Sequence, residues 1–92
     1  MIDYNTIRQD IREKLDNYAQ HGTPTGDFLR AVLSNDLMEA VGRADDYNIT
    51  TVHSICGYVY NELPSRCHGS PEIYRSWIER HEEARKMIKA TA

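Results

Sequence analysis

Apolar residues along this chain recur at three- and four-residue steps, separated by short polar joints, and nowhere alternate with polar residues over a useful length. That is the spacing of helices with one buried face, so the pattern predicts an all-α fold. The expected architecture is a compact single domain over residues 1–92, a small helical bundle of four to five helices. A first helix is predicted over 3–20, with Tyr4, Ile7, Ile11, Leu15 and Tyr18 on its inner face. Asp3 or Asn5 is placed to cap its start, and Gly22 follows its end where a left-handed residue is favoured. On the outer face Arg12 and Asp16 stand four apart, a spacing that allows them to pair.

The segment His21–Asp46 is the hinge of the pattern. Pro24 pushes Thr23 toward extended backbone, and Thr25 is a candidate cap for a helix opening at Gly26 or Asp27. Phe28, Leu29, Val32 and Leu33 make a broad apolar face, which Leu37 and Val41 continue. A single helix over 27–45 would carry that stripe unbroken. The residues Ser34, Asn35 and Asp36 favour a break instead, because their short polar side chains compete for backbone hydrogen bonds, and Asp36 with Glu39 suits a new capped start. Gly42 weakens the late part of this segment. After the polar joint at Asp45, Asp46 and Asn48, with Asn48 or Thr50 as a cap, comes the most apolar stripe: Ile49, Val52, Ile55, Cys56, Val59, Tyr60 and Leu63. Pro64 ends it. Ser70, Pro71 and Glu72 then supply cap, first-turn proline and first-turn acid for a last helix. Tyr74, Trp77, Ile78, His81 and Ile88 mark its inner face, with Met87 beside them.

Composition narrows the function classes. Ninety-two residues suffice for one thin core, so a homo-oligomer or a bound partner is expected to add stability. With 14 acidic against 11 basic residues the net charge is −3, which weighs against a nucleic-acid binder that draws its affinity from phosphates. The N-terminus is charged from its third residue and reads as no signal peptide. No apolar run approaches the roughly 20 residues of a membrane span. A cytoplasmic setting with Cys56 and Cys67 reduced is therefore the expectation.

Candidate chemistry is sparse. His53, Cys56, Cys67 and His68 are the residue types that hold zinc, but Cys67 and His68 are adjacent and no Cys-x-x-Cys pair occurs, so no metal is expected. HGTPTGD opens a helix as phosphate-binding loops do, yet lacks their lysine and places Asp27 in the first turn. What remains is a small phosphorylated ligand held by Thr23, Thr25 and Arg30. Cys67 with His53 or His81 is the conceivable nucleophile pair, without an oxyanion motif beside it. Asp36, Glu39, Asp45 and Asp46 read as caps and solvated faces. The chain thus reads as non-enzymatic, with no cofactor implied. Six tyrosines against one Phe and one Trp point to recognition, since a phenol joins a flat apolar ring to a polar tip. Tyr58 lies off the apolar stripe and is the expected exposed ring, whereas Tyr4, Tyr18, Tyr60 and Tyr74 are expected at the edge of the core. Arg30, Arg43 and Arg66 supply charge for such a surface, and His68 stands beside Gly69.

The run His-x-x-Pro-x-Gly-x-Phe-Leu-x-Ala-Val-Leu-x-Asn-Asp-Leu, from His21 to Leu37, resembles a family of small proteins of tailed bacteriophages. The likeness continues through Arg43-Ala44-Asp45, Tyr60-Asn61-Glu62-Leu63-Pro64 and Gly69-Ser70-Pro71-Glu72. The chain departs from that pattern with His68 where many members carry an aromatic residue, and with Asp27 at a glycine position. The resemblance brings no activity and no catalytic residues. It implies an accessory protein of an infected bacterial cytoplasm that binds and inhibits a host component, an anti-defence inhibitor. The alternative is an oligomeric sponge for a cyclic-nucleotide or ADP-ribose-type signal, stacking on tyrosine and holding phosphate with arginine; a nucleic-acid-binding regulator is a third reading. Partner or ligand contacts are expected from Thr23, Thr25, Arg30, Arg43, Tyr58, Arg66 and His68.

Overall fold

The first helix starts later than its apolar stripe. In the computed structural model, which describes residues 3–91, a 3-10 turn over Tyr4–Thr6 precedes α1, Gln9–His21. Asp3 caps the turn by accepting the Asn5 amide, and the backbone then runs extended through Ile7 and Arg8. The stripe survives this bend: Ile7, Ile11, Leu15 and Tyr18 all enter the core. Gly22 ends α1 in the left-handed region at φ 67°, as its position predicts, and its amide donates to the Tyr18 carbonyl.

Helices α2, Asp27–Leu33, and α3, Leu37–Arg43, form a tight hairpin. The break falls at Ser34–Asp36, where Asn35 takes φ 61°, a conformation Asn tolerates better than most residues. The Asp36 carboxylate accepts the Glu39 amide and starts α3, so the expected cap and break are both present. Thr25 does not cap α2; Gly26 occupies that position without a side-chain bond.

Neither Asn48 nor Thr50 caps the next segment. Asp45 accepts the Asn48 amide at 2.7 Å and opens α4, Asp46–Thr50. Thr51, at φ −118° and ψ 13°, separates α4 from α5, Val52–Glu62, and leaves Ile49 exposed on the short helix. After a 3-10 turn at Ser65–Cys67, α6 runs Pro71–Thr91, with Ser70 Oγ accepting the Ile73 amide as its start signal predicts. The described residues form six α-helices and no strand: the fold is all-α.

One apolar cluster joins these elements. Ile7, Ile11, Leu15 and Tyr18 meet Leu29 and Leu33 of α2, Ile55 and Val59 of α5, and Cys67 and Tyr74. Tyr18 is the pivot. Its hydroxyl donates to the Cys67 carbonyl at 2.7 Å, its ring stacks on Tyr74 at 5.1 Å, and its carbonyl accepts Trp77 Nε1 at 2.9 Å. Burial holds the phenol well above its ordinary range, so it stays a donor. Arg85 reaches back to the His21 carbonyl, so α6 serves the free carbonyls at the end of α1.

Several expected core residues lie outside this cluster. Leu37 and Val41 are exposed because α3 meets α2 through Ala40 instead. Tyr60 points away from the face that carries Ile55 and Val59. Met87 and Ile88 are exposed because α6, about 31 Å long at 1.5 Å per residue, outruns a body 24 × 21 Å across. The radius of gyration, 13.8 Å, accordingly exceeds the about 12.3 Å of a compact chain this long. Among the described residues, no helix is long and apolar enough to cross a membrane.

Candidate functional site

The loop before α2 is fastened to α6 and is not an open cradle. The Thr25 amide donates to the Tyr74 hydroxyl at 2.9 Å, and the Thr25 and Tyr74 hydroxyls lie 3.1 Å apart. Thr23 is exposed on the same loop. Arg30 and Arg43 do converge, but on a carboxylate: Arg30 Nη2 lies 3.2 Å from Asp27 Oδ1, and Arg43 Nη1 lies 3.4 Å from Asp27 Oδ2. Arg43 Nε also donates to Glu39 at 2.7 Å, and this bond, with the neighbouring negative charge, raises the guanidinium pKa. Both arginines are thus engaged by acids before any phosphate arrives.

Tyr58 is not an exposed ring. Its hydroxyl donates to Asp16 at 2.5 Å, its ring meets Tyr4 edge-on at 5.3 Å, and the Arg12 guanidinium lies 5.9 Å from its centroid. Burial first, and then the Asp16 carboxylate, push the phenol up to about 12. Arg12 and Asp16, spaced to pair with each other, both engage Tyr58. Among the described residues Tyr47 and Tyr60 are the exposed tyrosines, and Tyr60, at 81%, is the more open of the two. It lines a cleft of about 410 Å³ with Asn35, Cys56 and His68. Arg66 lies elsewhere, in a notch of about 160 Å³ with Trp77 and Arg80. The seven residues singled out in the sequence are therefore spread over separate surfaces.

The metal and nucleophile groupings come apart in the same way. Among the described residues, no three His, Cys, Asp or Glu side chains are grouped to hold a metal. Cys67 is fully buried, and burial pushes its thiol up to about 11; the half-buried Cys56 thiol is raised for the same reason. Thiols so placed remain protonated and unreactive at neutral pH. His53 is exposed on α5. His68 has a buried Nε2 without a hydrogen-bond partner, and burial lowers its pKa, so the ring is neutral.

The surface that periodicity did not anticipate is α3. Leu37 is 60% exposed, Met38 82% and Val41 44%. Positions i, i+1 and i+4 share one side of a helix, so the three make a continuous apolar knob beside Asp36 and Glu39. No protein-family model, curated protein or solved structure matches the chain. Next to the knob, α2, α3 and the first half of α6 enclose a cleft of about 570 Å³. Its floor includes Ala31, Ser34 and Ile78, and its rim Asp36, Glu39 and Glu79. The sequence carries only a partial signal for the knob: Leu37 and Met38 are adjacent, so one of them must face away from the side that buries Ala40, but spacing does not say that Leu37 does so as well.

Proposed function

We propose that this protein acts by stoichiometric binding, as a phage accessory protein that occupies and inhibits a host component. The first candidates are proteins of host defence. The observation that carries this reading is the α3 knob: in a domain with little apolar surface to spare, Leu37, Met38 and Val41 are left in water. The likeness of residues 21–72 to small tailed-phage proteins supplies the setting. Withdrawing the knob into an apolar groove contributes about 4 kcal/mol, given the part of each side chain still exposed. A micromolar complex needs about 8 kcal/mol net, so polar contacts around the knob belong to the same interface.

The sponge for a nucleotide signal has one observation behind it, the exposed Tyr60 ring beside the His68 cleft. That cleft contains no arginine or lysine to meet a phosphate. Protein binding is therefore the favoured reading. The tagged chain, expressed in a bacterial host and recovered under gentle conditions, should bring down one host protein in near-equal amount. Leu37→Asp with Met38→Asp should abolish that recovery and leave the helical circular dichroism unchanged.

A further inference from the structure

We propose that the cleft beside α3 receives a primary ammonium on an alkyl stem, the side chain of a lysine on the docked partner; this rests on the α3 docking reading above. Three observations on different elements point to this chemistry. The first is shape: about 570 Å³ accommodates a lysine side chain with room for its hydration. Ala31 of α2 and Tyr74 and Ile78 of α6 give the stem an apolar wall.

The second is charge. Four carboxylates, Asp27, Asp36, Glu39 and Glu79, line the cleft against two guanidinium groups, Arg30 and Arg75. The balance stays negative even when Arg43, which braces Asp27 and Glu39 from outside the cleft, is counted. Both oxygens of Asp27 are engaged by arginine, and one oxygen of Glu39 by Arg43. Asp36 spends one oxygen on the cap of α3, and among the described residues no ion pair reaches Asp36 or Glu79. Two acids from different helices therefore line the cleft outside any ion pair among the described residues.

The third is Ser34. It is only 8% exposed and lines the cleft, yet its hydroxyl makes no hydrogen bond among the described residues. A hydroxyl that is free to accept, with two carboxylates outside any ion pair lining the same cleft, suits a compact donor with several N–H groups. An ammonium has them, and its alkyl stem covers the apolar wall. The net negative lining disfavours an anion, and a neutral side chain gains nothing from the acids. The lysine would sit next to the groove that takes Leu37 and Met38, so the partner surface is apolar with a basic rim.

Amide NMR of the full chain, titrated with Nα-acetyl-lysine methylamide, tests this. Saturable shifts are expected at Ser34, Asp36, Ile78 and Glu79, with the uncharged norleucine analogue giving none. Asp36→Asn with Glu79→Gln, which keeps a capping residue on α3, should weaken the lysine derivative by about fivefold or more. The same double variant should lower recovery of the host partner. Absence of saturable shifts at these residues, or equal shifts from norleucine, overturns the proposal. Putrescine binding more than about tenfold tighter than the lysine derivative assigns the cleft to a free diamine, which also overturns it. The Leu37→Asp, Met38→Asp variant separates the two readings: it should lose the partner yet still bind the lysine derivative. If partner recovery depends on α3 but not on Asp36 and Glu79, the docking face stands and the lysine assignment falls.

Discussion

Gly22 closes α1 at φ 67°, and a Cβ built on it lies 2.5 Å from the Cβ of His81 on α6. Left-handed strain and this contact act together, so Gly22→Ala should cost about 3 kcal/mol. A lower urea midpoint at unchanged slope would show it. His68 is perturbed in a different way. Its ring is buried neutral with Nε2 unpartnered, and its folded pKa lies below the ordinary 6.5. In the window below 6.5 the unfolded chain binds more protons, so this contribution is complete above that pH and is lost as pH falls toward the folded value. Unfolding free energy should therefore drop between pH 7.5 and pH 5.5, and His68→Gln should flatten that slope. Cys67 gives a third test. Its thiol, fully buried and raised to about 11, should resist iodoacetamide at pH 8 until denaturant is added, with Cys56 reacting first. Gly22 was legible because a helix end is a local event. Tyr58 and Tyr60 were not, since both border the apolar arc of α5. Which border is covered depends on the distant Tyr4–Thr6 turn, which packs on the Tyr58 side.

At the scale of elements, α3 behaves as a helix held by one small contact. Ala40 is its buried side chain, packed on α2, while the larger apolar residues face water. Met38→Lys should change stability by no more than about 0.5 kcal/mol, as for an exposed site. Ala40→Leu should cost about 1–3 kcal/mol by forcing the hairpin apart. Chemical denaturation of the two variants side by side checks both values, and a destabilised Met38→Lys would return α3 to the core. The break before α3 was readable from Ser34, Asn35 and Asp36, whose side chains compete with the helix backbone. The face α3 presents was not readable, because over seven residues the period fits an inward Leu37 as well as an inward Ala40. The tight turn through Asn35 makes that choice. For α4 and α5, the split at Thr51 was hidden by a stripe that runs smoothly from Ile49 to Leu63.

The whole molecule is a compact body from which α6 extends, 46 Å along its longest axis. With 14 acidic against 11 basic residues, its charges nearly balance. The all-α class was legible from periodicity alone, because helical spacing is repeated in every segment. The candidate surface was not, because it consists of apolar residues that failed to find a place in the core, and spacing cannot distinguish those from residues that did. We propose α3 as the docking face of the molecule. Co-purification from a bacterial host of the wild-type chain, the Leu37→Asp, Met38→Asp variant and Tyr60→Asp tests it most directly. One host protein should be retained in near-equal amount by wild type and Tyr60→Asp and be absent from the α3 variant; retention by the α3 variant, or loss with Tyr60→Asp alone, would rule out docking through α3.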